Sequence, residues 1–264
     1  MIFTMNGCGS GTQPIAGWHH TSYTVTVNGS VYWIDAGETC SYTAHLTGTD
    51  LLATRAVFIT HTHMDHVGGL GNLFWNIRKL TQGKSHVDRL ERMEGRHITL
   101  KIPEIETWEG ISKLLSHTEG NFAINFAIDA SEYSDGIIYQ DENISVEAMH
   151  NTHLPPRERD NAWQSYSFIL RAEGKKIVCT GDIKAYEELG DAYDGADLIF
   201  AETGHHGVAD ACAWFAGSGF RFGKLAFVHN GPSILKDYSA AVQTAADTLG
   251  DRAVVTREGM TIEL

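Results

Sequence analysis

Residues 59–69 read ITHTHMDHVGG, and no other stretch narrows the choice of fold and chemistry so far. His61, His63, Asp65 and His66 crowd into six positions between the apolar run VFIT and a pair of glycines. Imidazole and carboxylate are the side chains that hold zinc, manganese and iron. In an extended segment, residues two apart point the same way, so His61 and His63 can share one ion. Asp65 and His66 then turn toward a neighbouring position. A strand ending at the first histidine anchors the cluster on a rigid element. A polar loop explains one stray histidine readily; four ligand-type residues at this spacing it explains poorly.

The rest of the chain can enclose such a site. Of 264 residues, 42% are hydrophobic, which supports a sizeable core and argues against disorder. The apolar runs are only strand-length, so no membrane span is expected. The first residues, MIFTMNGCGSGT, lack the basic and long apolar regions of a secretory leader. Cys8, Cys40, Cys179 and Cys212 lie far apart, as suits reduced thiols in a cytoplasm better than a disulfide framework. A formal net charge of −13 disfavours nucleic acid and anionic membrane as partners, although a local basic patch could override it.

Strand-like and helix-like segments alternate in both halves. TSYTVTVNGSVYWIDAG reads as a hairpin turning at Asn28-Gly29. AVFIT, NISVEAMH, SYSFILRAEGKKIVCTGD and ADLIFAE read as further strands. TWEGISKLLSH reads as an amphipathic helix opened by Thr107 with Glu109 in its first turns, and further helices are expected after His66 and over residues 207–219 and 236–249. Charged turns such as KSHVDRLERMEGRH mark the region from Leu70 to Gln140. Two β-sheets packed together with helices outside would accommodate this order.

HTHMDH resembles the HxHxDH hallmark of the metallo-β-lactamase superfamily at every fixed position. DAGE (35–38), TGD (180–182) and LAFVHN (225–230) resemble its other strand-end motifs, in the same order and over most of the chain. The resemblance implies an α+β fold, a four-layer αβ/βα sandwich, formed by residues 1–264 as a single domain. It implies two divalent metal ions, zinc first and manganese or iron as alternatives. The first ion takes His61, His63 and a third histidine, for which His153 is preferred over His150. The second takes Asp65, His66 and His229, and Asp182 bridges both. Asp65 thereby belongs to the catalytic machinery, and a shared water is the nucleophile.

The surroundings refine the substrate class. GCGSG (7–11) runs into a strand rather than a helix, so it reads as a tight turn and not a dinucleotide loop. Followed by SY, it resembles the ribonuclease Z-like and phosphodiesterase-like branches. His19 and His20 should border the cleft. In ADLIFAETGHHGVADA, Glu202 and His206 resemble the acid and histidine that those branches carry here, with His205 the rival because adjacent residues point apart. A capped helix start with solvent-facing histidines is the plain alternative. Arg157 and Arg159 follow His153 and would favour a phosphate, unless they belong to a solvated loop with Glu158 and Asp160. The reading is a metal-dependent hydrolase, most specifically a phosphodiesterase acting on a small phosphoester, with a homodimer as an open option. A hydrolase of thioesters, lactones or β-lactams is the alternative, and a non-catalytic binding domain of the same fold a further one. The short chain between Asp182 and Asp197 leaves no room for a long RNA-gripping arm.

Overall fold

Many of the strands are buried at consecutive positions, so both faces of each are covered. The computed structural model describes residues 1–82, 87–117 and 122–264, and of Val87 only the backbone. Fourteen strands form two seven-stranded sheets. The first contains β1 (Ile2–Gly7), β2 (Ser22–Val27), β3 (Ser30–Ile34), β4 (Thr54–Phe58), β5 (His97–Lys101) and β6 (Ala127–Ser131) in sequential order. The second contains β7 (Gly136–Gln140), β8 (Ser145–His150), β9 (Tyr166–Ala172), β10 (Lys175–Cys179), β11 (Ala196–Thr203), β12 (Phe222–Asn230) and β13 (Ala253–Val255), also sequential. The last strand, β14 (Thr261–Glu263), returns to pair with β1. Each sheet opens with antiparallel hairpins and continues in parallel: β3 to β6 in one, β10 to β13 in the other. The expected hairpin turns where Asn28 and Gly29 both take positive φ (49° and 77°), the requirement of a type I′ turn.

Alternation sorts the side chains into layers. On β4, Ala56 and Phe58 face the space between the sheets, whereas Val57 faces helices. On β11, Leu198 and Phe200 point inward, and Ile199 and Ala201 outward. The first sheet is covered by α1 (Cys40–Leu46), α2 (Met64–Val67), α3 (Leu70–Thr81), α4 (Val87–Met93) and α5 (Ile105–Ser116). The second is covered by α6 (Val208–Gly217), α7 (Pro232–Leu235) and α8 (Tyr238–Leu249). The result is helix, sheet, sheet, helix: the four-layer α+β sandwich that the sequence reading expects. No helix among the described residues is long and apolar enough to cross a membrane.

Two local readings need correction. The helix expected from Thr107 starts at Ile105, because the Ile105 amide donates to Glu132 Oε1 at 3.1 Å and a distant carboxylate does the work of a cap. The stretch beginning at Lys84 is not simply a run of turns: α4 occupies half of it, while residues 84–86 lie outside the described residues.

The inter-sheet layer centres on Phe200, which is fully buried with its ring 5.0 Å from Phe3 and 4.7 Å from Tyr23. Phe200→Ala should cost about 3–5 kcal/mol in urea unfolding. Ile137→Ala, on an exposed edge position, should stay within about 0.5 kcal/mol of wild type. Equal costs for the two would mean that the sheets do not share a continuous core.

Candidate metal centre

Four strand ends meet at one edge of the sandwich. Thr60 and His61 follow β4 in the first sheet; Asp182 follows β10, Glu202 ends β11 and His229 ends β12 in the second. Backbone hydrogen bonds stitch the two sheets together there. The Tyr166 amide donates to the Thr60 carbonyl at 3.1 Å, the Asn230 amide to that of Cys8, and the Ser10 amide back to that of Asn230 at 3.1 Å. His229 is the extra residue of a β-bulge: Glu202 pairs with Val228 and Thr203 with Asn230. Its φ of 49° is left-handed, and the bulge re-aims its ring into the cleft.

The side chains gather into two groups that share one carboxylate. His61 Nε2 lies 3.1 Å from His63 Nδ1, and His153 Nε2 lies 3.4 Å from the same atom. Asp65 Oδ2 lies 3.1 Å from His229 Nε2 and 3.4 Å from His66 Nε2. Asp182 stands between the groups, with Oδ2 3.7 Å from His61 and 3.3 Å from His229, and Oδ1 3.4 Å from His66. His61–His63–His153 and Asp65–His66–His229 each bring their donor atoms within 4.8 Å of one another, as does His61–His66–Asp182. His66 Nε2 and Asp182 Oδ1 are buried and make no hydrogen bond. Orphaned buried donor atoms aimed at one another fit a divalent cation, which would satisfy them together.

Asp35 and Thr60 orient the cluster from behind, and the sequence reading assigns neither a role in the site. Asp35 Oδ2 lies 2.8 Å from His66 Nδ1, leaving Nε2 directed into the cleft. Asp35 Oδ1 accepts from the Thr60 amide at 2.7 Å. The signal available was a carboxylate at the end of the strand YWID, as strand-end carboxylates go elsewhere in this chain.

The charges explain the protonation. Burial opposes the charged form of His66, but Asp182 and Asp35 outweigh it and hold the imidazolium well above its usual range. Burial likewise opposes His229, yet Asp182, Asp65 and Glu202 push it up to about 9. Burial would raise Asp182, and His229, His66 and His61 overcome it, keeping the carboxyl ionised. His61, with burial dominant, stays neutral.

Not every candidate faces the cleft. His150 is stacked on Trp163 at 4.3 Å and bonded to Asp135, so His153 is the histidine that joins His61 and His63. His206 turns away: its Nε2 lies 3.1 Å from the Ile183 carbonyl, with its ring against Tyr186. His205 takes the inward place, with Nδ1 2.9 Å from Glu202 Oε1 and 3.9 Å from Asp182. His206 is the histidine that the sequence reading expects inward; it keeps its Nε2 3.7 Å from Glu202 Oε1, while His205 is the one on the cleft wall. Arg157 is committed to Glu132 and Asp160, and Arg159 to Glu106, so these guanidinium groups hold a loop. His19 and His20 lie 3.5 Å from Glu258 and 3.9 Å from Glu38, respectively. The cleft, about 160 Å³, is walled by Ser10, Gly11, His63, Asp65, Asp182, Gly204, His205 and His229. A more apolar groove of about 520 Å³ between α2, α3 and α5 contains no ligand-type side chain, so the chemistry belongs to the smaller one.

Proton release should report these charges. At pH 7 the cation-free protein holds protons on His66 and His229, and a metal must displace them. Titration calorimetry with zinc in buffers of different ionisation enthalpy should show net proton release at pH 7. Release should shrink as pH rises through about 9, where His229 gives up its proton unaided. Heats independent of the buffer would mean that both histidines are neutral before metal binds.

The sequence profile described as Anti-Pycsar protein Apyc1 matches residues 1–211. Among curated proteins, "Ribonuclease Z 2, mitochondrial" of Schizosaccharomyces pombe (strain 972) is 27% identical over 191 residues, which is 69% of this chain and 25% of that protein. Ribonuclease Z of Marinobacter nauticus is 25% identical over 201 residues, 75% of this chain and 57% of the relative. The chain therefore spans a quarter of the first relative and just over half of the second. Among solved structures, the metallo-β-lactamase fold protein YhfI from Bacillus subtilis superposes with a TM-score of 0.74 over 99% of this chain and 98% of its own, at 15% identity. That likeness shows the fold, as the resemblance in HTHMDH implies. With most of its length matched by the profile, the chain belongs to the Anti-Pycsar protein Apyc1 family.

Proposed function

We propose that this chain is a metal-dependent phosphodiesterase that works on a small diester with two divalent cations, zinc in the first instance. The observation that carries the reading is the pairing of two donor groups through Asp182, with a carboxylate-held histidine on the open side of the same cleft. His61, His63 and His153 would hold one ion; Asp65, His66 and His229 would hold the other. When bound, the cations would supply an activated water and a clamp for the attacking and leaving oxygens.

The protein's own groups do the rest. Asp35 keeps His66 in one tautomer and orientation. Glu202, held down to about 2 by His205 and His229 against the effect of burial, remains anionic. It raises His205 above its ordinary value by accepting its hydrogen bond, which favours a protonated imidazole near neutral pH. That proton can pass to the alkoxide expelled from a diester. His205 takes the donor role that the sequence assigned to His206, because His205 is half-exposed on the cleft. The ribonuclease names of the curated relatives support a phosphodiester bond as the target. The small cleft and the net charge of −13 favour a compact substrate over a polyanion.

Turnover should separate these roles. His205→Ala should keep both metals and lose roughly 10²–10⁴-fold on a diester with a poor leaving group. The loss should be far smaller on bis-p-nitrophenyl phosphate, whose leaving group needs little protonation. Loss of metal in that variant would make His205 a ligand instead of a donor.

A substrate panel tests the class. Bis-p-nitrophenyl phosphate should be cleaved faster than a thioester, a lactone or a β-lactam, and a chelator should abolish the activity while lowering the melting temperature. A preference for any of those three acyl substrates would overturn the phosphodiester reading. Faster cleavage of RNA would move it to a nuclease, and activity that survives complete chelation would sink the metal role.

A further inference from the structure

The glycine run at residues 7–11 takes no part in the chemistry above, yet its last residue abuts a candidate ligand. A β-carbon on Gly11 would lie 2.8 Å from Asp65 Oδ2 and 3.0 Å from its Cγ. Gly204, just after β11, stands in the same relation to His229: a β-carbon there would lie 2.3 Å from Nδ1 and 2.5 Å from Cε1. The same atom would lie 3.0 Å from the Ser10 Cβ, so the two loops meet behind the ligands. Neither glycine has positive φ. The backbone would therefore accept alanine at both positions, and what stands in the way is Asp65 at Gly11 and His229 with the Ser10 β-carbon at Gly204.

We infer that Gly11 and Gly204 are positioning residues that set the geometry of the Asp65–His66–His229 group and leave the His61–His63–His153 group untouched. The inference rests on reading the cleft as a two-metal site. His229 cannot retreat, because its left-handed backbone is fixed by the bulge and its Nδ1 already faces Glu202 at 3.6 Å. Asp65 has more freedom, but its carboxylate is held at 3.1 Å from His229 Nε2 by the wall behind it. A methyl group on Gly11 pushes that carboxylate by several tenths of an ångström, beyond the roughly 0.2 Å tolerance of a metal–ligand bond. On the other side, the atoms nearest a β-carbon at Gly11 belong to Asp65 and those nearest one at Gly204 to His229 and Ser10, none of them to His63 or His153. The two halves of one site should thus respond differently to a substitution at the wall.

The test compares metal binding by wild type, Gly11→Ala, Gly204→Ala and the control Gly110→Ala, whose β-carbon would meet nothing. Zinc per chain is measured by elemental analysis and titration calorimetry, and cobalt(II) absorption reports the coordination of each site without any assay of turnover. Wild type and the control should show two classes of site. Gly11→Ala should keep one class unchanged and weaken the other on the order of tenfold to a hundredfold, with an unaltered circular dichroism spectrum. Gly204→Ala should do the same more severely; if it fails to fold, Gly11→Ala, which meets only the end of a flexible side chain, carries the test alone. Two unchanged classes in Gly11→Ala would overturn the inference and leave the two-metal reading intact. Equal weakening of both classes would also overturn it, because the loop would then be general scaffolding. A wild-type protein that binds no metal would overturn both.

Discussion

The buried carboxylate of Asp182 is the charge around which the cleft is balanced. It is 2% exposed and has five imidazoles within 4 Å: His61, His66, His153, His205 and His229. An ionised carboxylate in such a place costs several kcal/mol unless positive charge is brought to it. Protons on His66 and His229 supply part of that charge. They do not complete the bonding, since Asp182 Oδ1 and His66 Nε2, 3.4 Å apart, make no hydrogen bond. A divalent cation would supply more charge and could satisfy both atoms, which is why the cluster reads as a candidate metal centre rather than an ion-pair network.

That balance requires two sheets to present their ends at one edge. The candidate ligands come from the loop after β4 in one sheet and from the loop after β8 and the ends of β10 and β12 in the other, so neither sheet holds a complete set. The cross-sheet hydrogen bonds at Thr60, Cys8 and Asn230 hold the two ends in register. Two of the seven positive-φ non-glycine residues among the described residues lie at the same edge. Asp35 and His229, both non-glycine, have φ of 56° and 49°, and each aims its side chain into the cluster. Conformations of this kind cost on the order of 1–3 kcal/mol and persist where the surroundings over-determine them.

Some of the site is legible in the chain because it is local. His61, His63, Asp65 and His66 sit in one short segment, and a strand followed by a turn brings them close whatever the rest of the fold does. The strands are legible for a similar reason: short continuous apolar runs such as AVFIT or ADLIFAE mark strands buried on both faces without knowing the partner sheet. Other features depend on contacts between distant segments. Whether His205 or His206 faces inward turns on where the Ile183 carbonyl and Glu202 lie around the end of β11. The arginines after His153 look suited to phosphate until Glu132 and Asp160 are seen to occupy them. The start of α5 depends on Glu132, nearly thirty residues along the chain.

The sequence by itself determined the residue types of the centre, their order and the strands that carry them, because ligand spacing and apolar runs are properties of neighbouring residues. It also left His153 and His150 as the two candidates for a third histidine. The tertiary structure decided which histidines face one another, which carboxylate lies between them and which glycines press against them. Those outcomes depend on β4 and on β10–β12 ending at the same edge and on a bulge at His229. Close approach between segments more than a hundred residues apart, such as His229 and Asp65, leaves no periodic trace along the chain, and only packing makes it visible.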